Sequence, residues 1–93
     1  MVQSNEYFGG KVKSLVVNGS AGKETVGVML PGEYEFSTSQ KEIMQVISGT
    51  LIVKLDSEDE WEIFEKGDAF EVPANEKFHL KVYVDTAYLC QYL

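Results

Sequence analysis

Arginine is absent from this 93-residue chain, and cysteine and histidine occur once each. The 8 basic residues are all lysine and face 15 acidic ones, for a net charge of −7. No basic stripe can be drawn, which excludes nucleic acid polymers and anionic membranes as partners. A small anion is still admissible, because a few lysines and backbone N–H groups hold one phosphate. The lone Cys90 excludes an internal disulfide and a cysteine-based zinc cluster, and fits a reducing cytosol. No apolar run approaches the roughly 20 residues of a bilayer span. The opening MVQSNEYFGG lacks the basic-then-apolar order of a signal peptide. The expectation is a soluble cytoplasmic protein. Nor is there a Gly-Lys-Thr/Ser phosphate loop, a Gly-x-Ser-x-Gly elbow or a nucleotide-binding βαβ unit.

What is present is a globular composition, 44% hydrophobic and 25% charged, uninterrupted by linkers or repeats. Residues 1–93 read as a single domain. A chain this short buries only roughly 60–65% of the surface its unfolded form exposes, so pairing into a homodimer would add useful burial. Apolar residues alternate with polar ones, as in Leu51, Val53 and Leu55, or Phe78, Leu80, Val82 and Val84. Period two is the mark of half-buried strands. It predicts strands near 11–18, 24–30, 33–38, 43–48, 50–56, 60–65, 69–72, 77–84 and 86–93. Turn residues separate them at Asn18-Gly19-Ser20, Pro31-Gly32, Ser48-Gly49, Lys66-Gly67-Asp68 and Ala74-Asn75-Glu76. Ser37–Lys41 reads as a loop or one helical turn. The fold class is all-β, a barrel or sandwich.

Two segments are spaced more specifically. Glu42 to Gly49 followed by Thr50-Leu51-Ile52-Val53 reads as a strand, a tight glycine hairpin and a return strand. Gly67-Asp68-Ala69-Phe70-Glu71-Val72-Pro73, then His79, reads as a turn, a short strand ending in proline and a further strand. In this order the two resemble the paired motifs of the cupin superfamily, which implies a single-domain double-stranded β-helix, a jelly-roll-like barrel. The departures bear on function. Metal-binding cupins carry two histidines shortly before the glutamate, where this chain has Glu33-Tyr34-Glu35-Phe36-Ser37-Thr38-Ser39-Gln40. The second-motif histidine falls at Phe78, and His79 is one residue late, which turns it to the opposite face. One histidine cannot supply three imidazoles, so no metal is expected. His79 reads as a surface or interface residue, held in reserve for acid chemistry because a bulge after Pro73 would rotate it inward. A Cys90–His79 dyad is conceivable, against the plainer reading of Cys90 as a small core residue. Glu42, sharing a face with Met44 and Val46, is either a carboxyl at the mouth of an apolar cavity with a raised pKa or a solvated loop residue beside Lys41. Phe36, Phe70, Tyr34 and Tyr88 are core residues or stacking surfaces for a base.

The likeness extends further. Ser4-Asn5-Glu6-Tyr7-Phe8, Val26-Gly27-Val28-Met29, Phe36-Ser37-Thr38, Val46-Ile47-Ser48-Gly49 and the ending Tyr88-Leu89-Cys90-Gln91-Tyr92-Leu93 resemble the small bacterial cupin-fold pyrimidine/purine nucleoside phosphorylases. That resemblance implies splitting of purine and pyrimidine nucleosides by phosphate into free base and ribose 1-phosphate, with inorganic phosphate as co-substrate and no cofactor. Phosphorolysis needs no protein nucleophile; the protein holds the anion, fixes the ribose and eases the base away. On this reading Glu42 and Thr38 are the catalytic candidates, and Ser37, Phe36, Met44, Tyr88 and Gln91 bind substrate. The family's C-terminal motif can carry arginine where this chain has Gln91. Two other classes compete: a non-catalytic small-molecule sensor on the same barrel, and a metal-dependent sugar isomerase or dioxygenase.

Overall fold

Alternating sequences become strands because every second side chain meets the same face of a sheet. The computed structural model describes residues 1–93. Its strands are β1 (Ser4–Tyr7), β2 (Val12–Gly19), β3 (Gly22–Met29), β4 (Gly32–Ser37), β5 (Glu42–Ser48), β6 (Thr50–Leu55), β7 (Glu62–Glu65), β8 (Ala69–Val72), β9 (Lys77–Val82) and β10 (Thr86–Tyr92). A six-stranded sheet runs β1-β2-β3-β10-β5-β8 and a four-stranded sheet β4-β9-β6-β7. All pairings are antiparallel. Both sheets feed one core: Val12, Met29, Val46 and Val72 from the larger, Leu51, Leu80 and Val82 from the smaller. The result is the expected all-β jelly-roll.

Two local expectations are corrected, the hairpin and the extent of β9. β5 and β6 are not a hairpin. β5 pairs with β10 and β8, β6 with β7 and β9, so the chain changes sheets at Gly49, where φ is +89°. Of the two readings of Ser37–Lys41 the structure has the loop, which follows the end of β4 at Ser37; the one short 3-10 helix is Phe8–Gly10. β1 was not legible from its sequence. Its four residues are all exposed, so backbone pairing with β2 holds it and no apolar alternation announces it. β9 stops at Val82, leaving Val84 exposed.

Candidate active site

Register across three strands builds the site. β10 sets Cys90 against Thr25 and Tyr88 against Gly27 on β3, and Tyr92 against Glu42, Cys90 against Met44 and Tyr88 against Val46 on β5. These positions alternate onto the inner face. Continuing β3 outward brings Lys23 beside Tyr92, its ammonium 5.1 Å from the ring centre. The outermost inner row is therefore Lys23, Tyr92 and Glu42: a cation, a phenol and a carboxyl. Beneath it lie Thr25, Cys90 and Met44, then Gly27, Tyr88 and Val46. Gly27 is required there, because a Cβ would stand 2.5 Å from the Tyr88 ring.

These rows line one wall of a cavity of about 350 Å³, within the roughly 300–1,000 Å³ of small-molecule sites. Phe36, Ser37 and Phe78 form the opposite wall, and Ser39 and Gln40 the rim. Phe36 stacks on Phe78 at 5.8 Å and meets Tyr7 edge-on at 6.1 Å.

Glu42 is half-buried. Desolvation raises its pKa above the ordinary 4.5, partly offset by the Cys90 thiol, which donates to Glu42 Oε1 at 3.4 Å. Burial and the neighbouring carboxylate push Cys90 up to about 12, so the thiol stays protonated: a donor to Glu42, not a nucleophile. Tyr88 is likewise raised to about 12, first by burial. Tyr92 is raised by burial too, and its hydroxyl shares a 3.2 Å hydrogen bond with Thr25. Lys41 does not neutralise Glu42; it pairs with Glu71 at 3.3 Å. No three His, Cys, Asp or Glu side chains converge as metal ligands would.

Of the residues singled out from sequence, Glu42, Phe36, Ser37, Met44 and Tyr88 meet in this cavity. Thr38 and Gln91 do not. Gln91 lies on the outer face of β10, donating to Glu24 Oε2 at 3.1 Å. His79 is on the outer face of β9, with Nε2 3.2 Å from Asp56 Oδ1 and Nδ1 3.6 Å from Glu35 Oε1; no bulge turns it inward, and a Cys90–His79 dyad is out of reach. Phe70 stacks on Phe64 at 4.5 Å in a separate recess, and Tyr34 is core.

Thr38 is buried as a latch. Its hydroxyl donates to the Pro73 carbonyl at 2.6 Å and accepts from the Glu76 N–H at 3.0 Å. Its backbone N–H donates to Glu76 O, and its carbonyl accepts from Asn75 N–H. Thr38→Ala should leave the Pro73 carbonyl and the Glu76 N–H without the hydroxyl and cost about 1–3 kcal/mol, a fall in Tm of about 5–20 °C, while kcat/KM stays within about threefold of wild type. Thermal melts and initial rates check this. A wild-type Tm with a tenfold slower rate would return Thr38 to the reaction.

Lys23, Tyr92, Tyr7 and the Cys90–Glu42 contact were missed in the sequence reading. Beginning β3 at residue 24 cut Lys23 off from the alternation of Thr25, Gly27 and Met29; the signal was present one residue earlier. Tyr92 follows from extending Tyr88 and Cys90. Nothing in Ser4–Tyr7 signals a strand.

Comparison with known proteins agrees with this architecture. The family model described as pyrimidine/purine nucleoside phosphorylase matches residues 2–92. A relative from Pseudomonas putida bearing that name is 61% identical over 92 residues, 99% of this chain and 98% of the relative. A crystal structure of a Vibrio parahaemolyticus protein of unknown function superposes with a TM-score of 0.97 at 46% identity, covering 100% of this chain and 99% of that one. An RmlC-like cupin from Shewanella frigidimarina superposes at 0.74 with 15% identity, covering 98% and 82%; that likeness speaks for the cupin fold alone.

Proposed function

This chain belongs to the pyrimidine/purine nucleoside phosphorylase family, and we propose that its cavity is where phosphate displaces the base of a purine or pyrimidine nucleoside. The observation that carries this reading is a half-buried carboxyl, Glu42, set at the mouth of a cavity walled by Met44, Phe36 and Phe78. A phosphate oxygen forms the bond to C1′ as the C1′–N bond breaks. The electron pair leaves with the base, which takes up the proton that the attacking hydrogen phosphate gives up. Positive charge develops on the ribose, and the Glu42 carboxylate, accepting from ribose hydroxyls, stabilises it more than it stabilises the ground state. Ser37 offers a hydroxyl to the anion. The aromatic and apolar walls of Phe36, Phe78 and Met44 accept either class of base, since every base has a π-face. The products are free base and ribose 1-phosphate, making the protein a pentosyltransferase that uses no metal or organic cofactor.

The test is base release from inosine and uridine with and without phosphate. Phosphate-dependent release that survives a chelator is expected. Binding without turnover would favour the sensor reading, and loss of activity in chelator a metal enzyme.

The active form is a homodimer on this reading, and the buried free thiol of Cys90 suits the cytosol. The outer face of the six-stranded sheet leaves Leu15, Val17, Val26 and Val28 exposed. Leu15, Val26 and Leu89 stand side by side across β2, β3 and β10. A contiguous apolar row on a small domain favours a self-complementary contact. Light scattering should give a dimer mass for wild type and a monomer for Val26→Glu. A monomeric wild type at micromolar concentration would refute it.

A further inference from the structure

We propose that Lys23 is the phosphate anchor of this site, holding the attacking anion at one end of the inner row while Glu42 holds the ribose at the other. The inference rests on the phosphorolysis reading and adds the anion's place to it. An anion approaching a chain of net charge −7 needs a local cation, and without arginine that cation must be lysine. Lys23 is the one lysine lining the cavity. Lys13, Lys41 and Lys77 are committed to Glu6, Glu71 and Glu35, and Lys81 lies over Trp61 on the outer face.

Lys23 has no carboxylate within ion-pair distance, although Glu24 adjoins it in sequence. The cause is strand alternation. Glu24 points to the outer face, where Gln91 donates to it at 3.1 Å. The inner neighbour of Lys23 is instead Tyr92, whose ring sits 5.1 Å from the ammonium and attracts it without neutralising it. Tyr92 is itself held by its hydrogen bond to Thr25.

The spacing suits the chemistry. Lys23, Tyr92 and Glu42 occupy adjacent strands about 4.8 Å apart, so the backbones of Lys23 and Glu42 are separated by about 10 Å. Both side chains line the cavity, and that separation leaves room for a ribose beside Glu42 and a phosphate at C1′ beside Lys23. Ser37 and Ser39 border the same space. Anion and carboxylate are thereby kept at opposite ends, which avoids the repulsion that adjacent binding would cause.

The experiment is steady-state phosphorolysis of inosine by wild type, Lys23→Ala, Lys23→Met and Lys23→Arg, varying phosphate and nucleoside separately, with melts as a folding control. Loss of one charge-assisted contact should raise the KM for phosphate about 10- to 100-fold in Lys23→Ala and Lys23→Met. The KM for inosine should stay within about threefold, and Lys23→Arg should recover most of the phosphate affinity. An unchanged phosphate KM, or a parallel rise of both KM values, overturns the anchor while leaving phosphorolysis standing. Absence of any phosphate-dependent release by wild type would instead sink the phosphorolysis reading. Titration of inorganic phosphate followed by phosphorus NMR then decides the anchor alone. Binding by wild type that Lys23→Met loses supports it; no binding by wild type, or equal binding by both, overturns it.

Discussion

Glu42→Gln should lower kcat/KM for inosine phosphorolysis by about 10- to 1,000-fold, equivalent to about 1.4–4 kcal/mol of transition-state stabilisation, without unfolding the protein. The substitution keeps the volume of the side chain and an oxygen to accept the Cys90 thiol. What it removes is the negative charge that faces the developing positive charge on the ribose. Because burial raises the Glu42 pKa above 4.5, the wild-type rate should fall on the acid side at a pH higher than an ordinary carboxylate would give. That limb should vanish in Glu42→Gln.

Stability should move the other way. The folded state holds the Glu42 proton more tightly than the unfolded chain does, so stability from this group is complete below 4.5 and declines as pH rises through the raised value. Glu42→Gln should therefore melt at or above the wild-type temperature at pH 7, and the two should converge at pH 4. A slower variant that is also less stable at neutral pH would mean the carboxylate is a structural group.

Strand phase was legible wherever one face is buried. Phe78, Leu80 and Val82 go inward and His79 and Lys81 outward, as their alternation requires, because a slip of one residue would expose the whole core set. The same rule brings Glu42, Met44 and Val46 to one face. The route of the chain between sheets was less legible. A glycine between two strands reads as a hairpin locally, and only the competing partners of β5 and β6 decide that it is a crossing. Thr38 misled for a related reason. A hydroxyl beside the cavity wall looks available until the Pro73–Glu76 turn, distant in sequence, is seen to occupy it. Lys23 was lost to a strand boundary, the least secure feature of any reading by periodicity.

The crossing at Gly49 carries the largest expected stability effect. Gly49 has φ +89°, in the left-handed region that costs an L-residue about 1–2 kcal/mol. It also has no room. A Cβ would press on Thr86 Oγ1 and stand 2.8 Å from the Asp85 carbonyl and 2.9 Å from Thr86 Cα. The hydroxyl of Thr86, which is fully buried, ties the crossing together, accepting from Thr50 N–H at 3.2 Å and lying 2.9 Å from the Val84 carbonyl. An added methyl therefore strains the backbone and also drives this buried group off its partners. Gly49→Ala should cost at least about 3 kcal/mol, a fall in Tm of about 15 °C or more, a large share of a small domain's stability. Gly67 supplies the control. It too lies in a crossing between the sheets, from β7 to β8, at φ +91°, yet a Cβ there meets nothing within 4 Å. Gly67→Ala should show the conformational cost alone, about 1–2 kcal/mol. The gap between the two melts then measures the steric part. If both variants melt within about 3 °C of each other, crowding against Thr86 is not what fixes glycine at the first crossing.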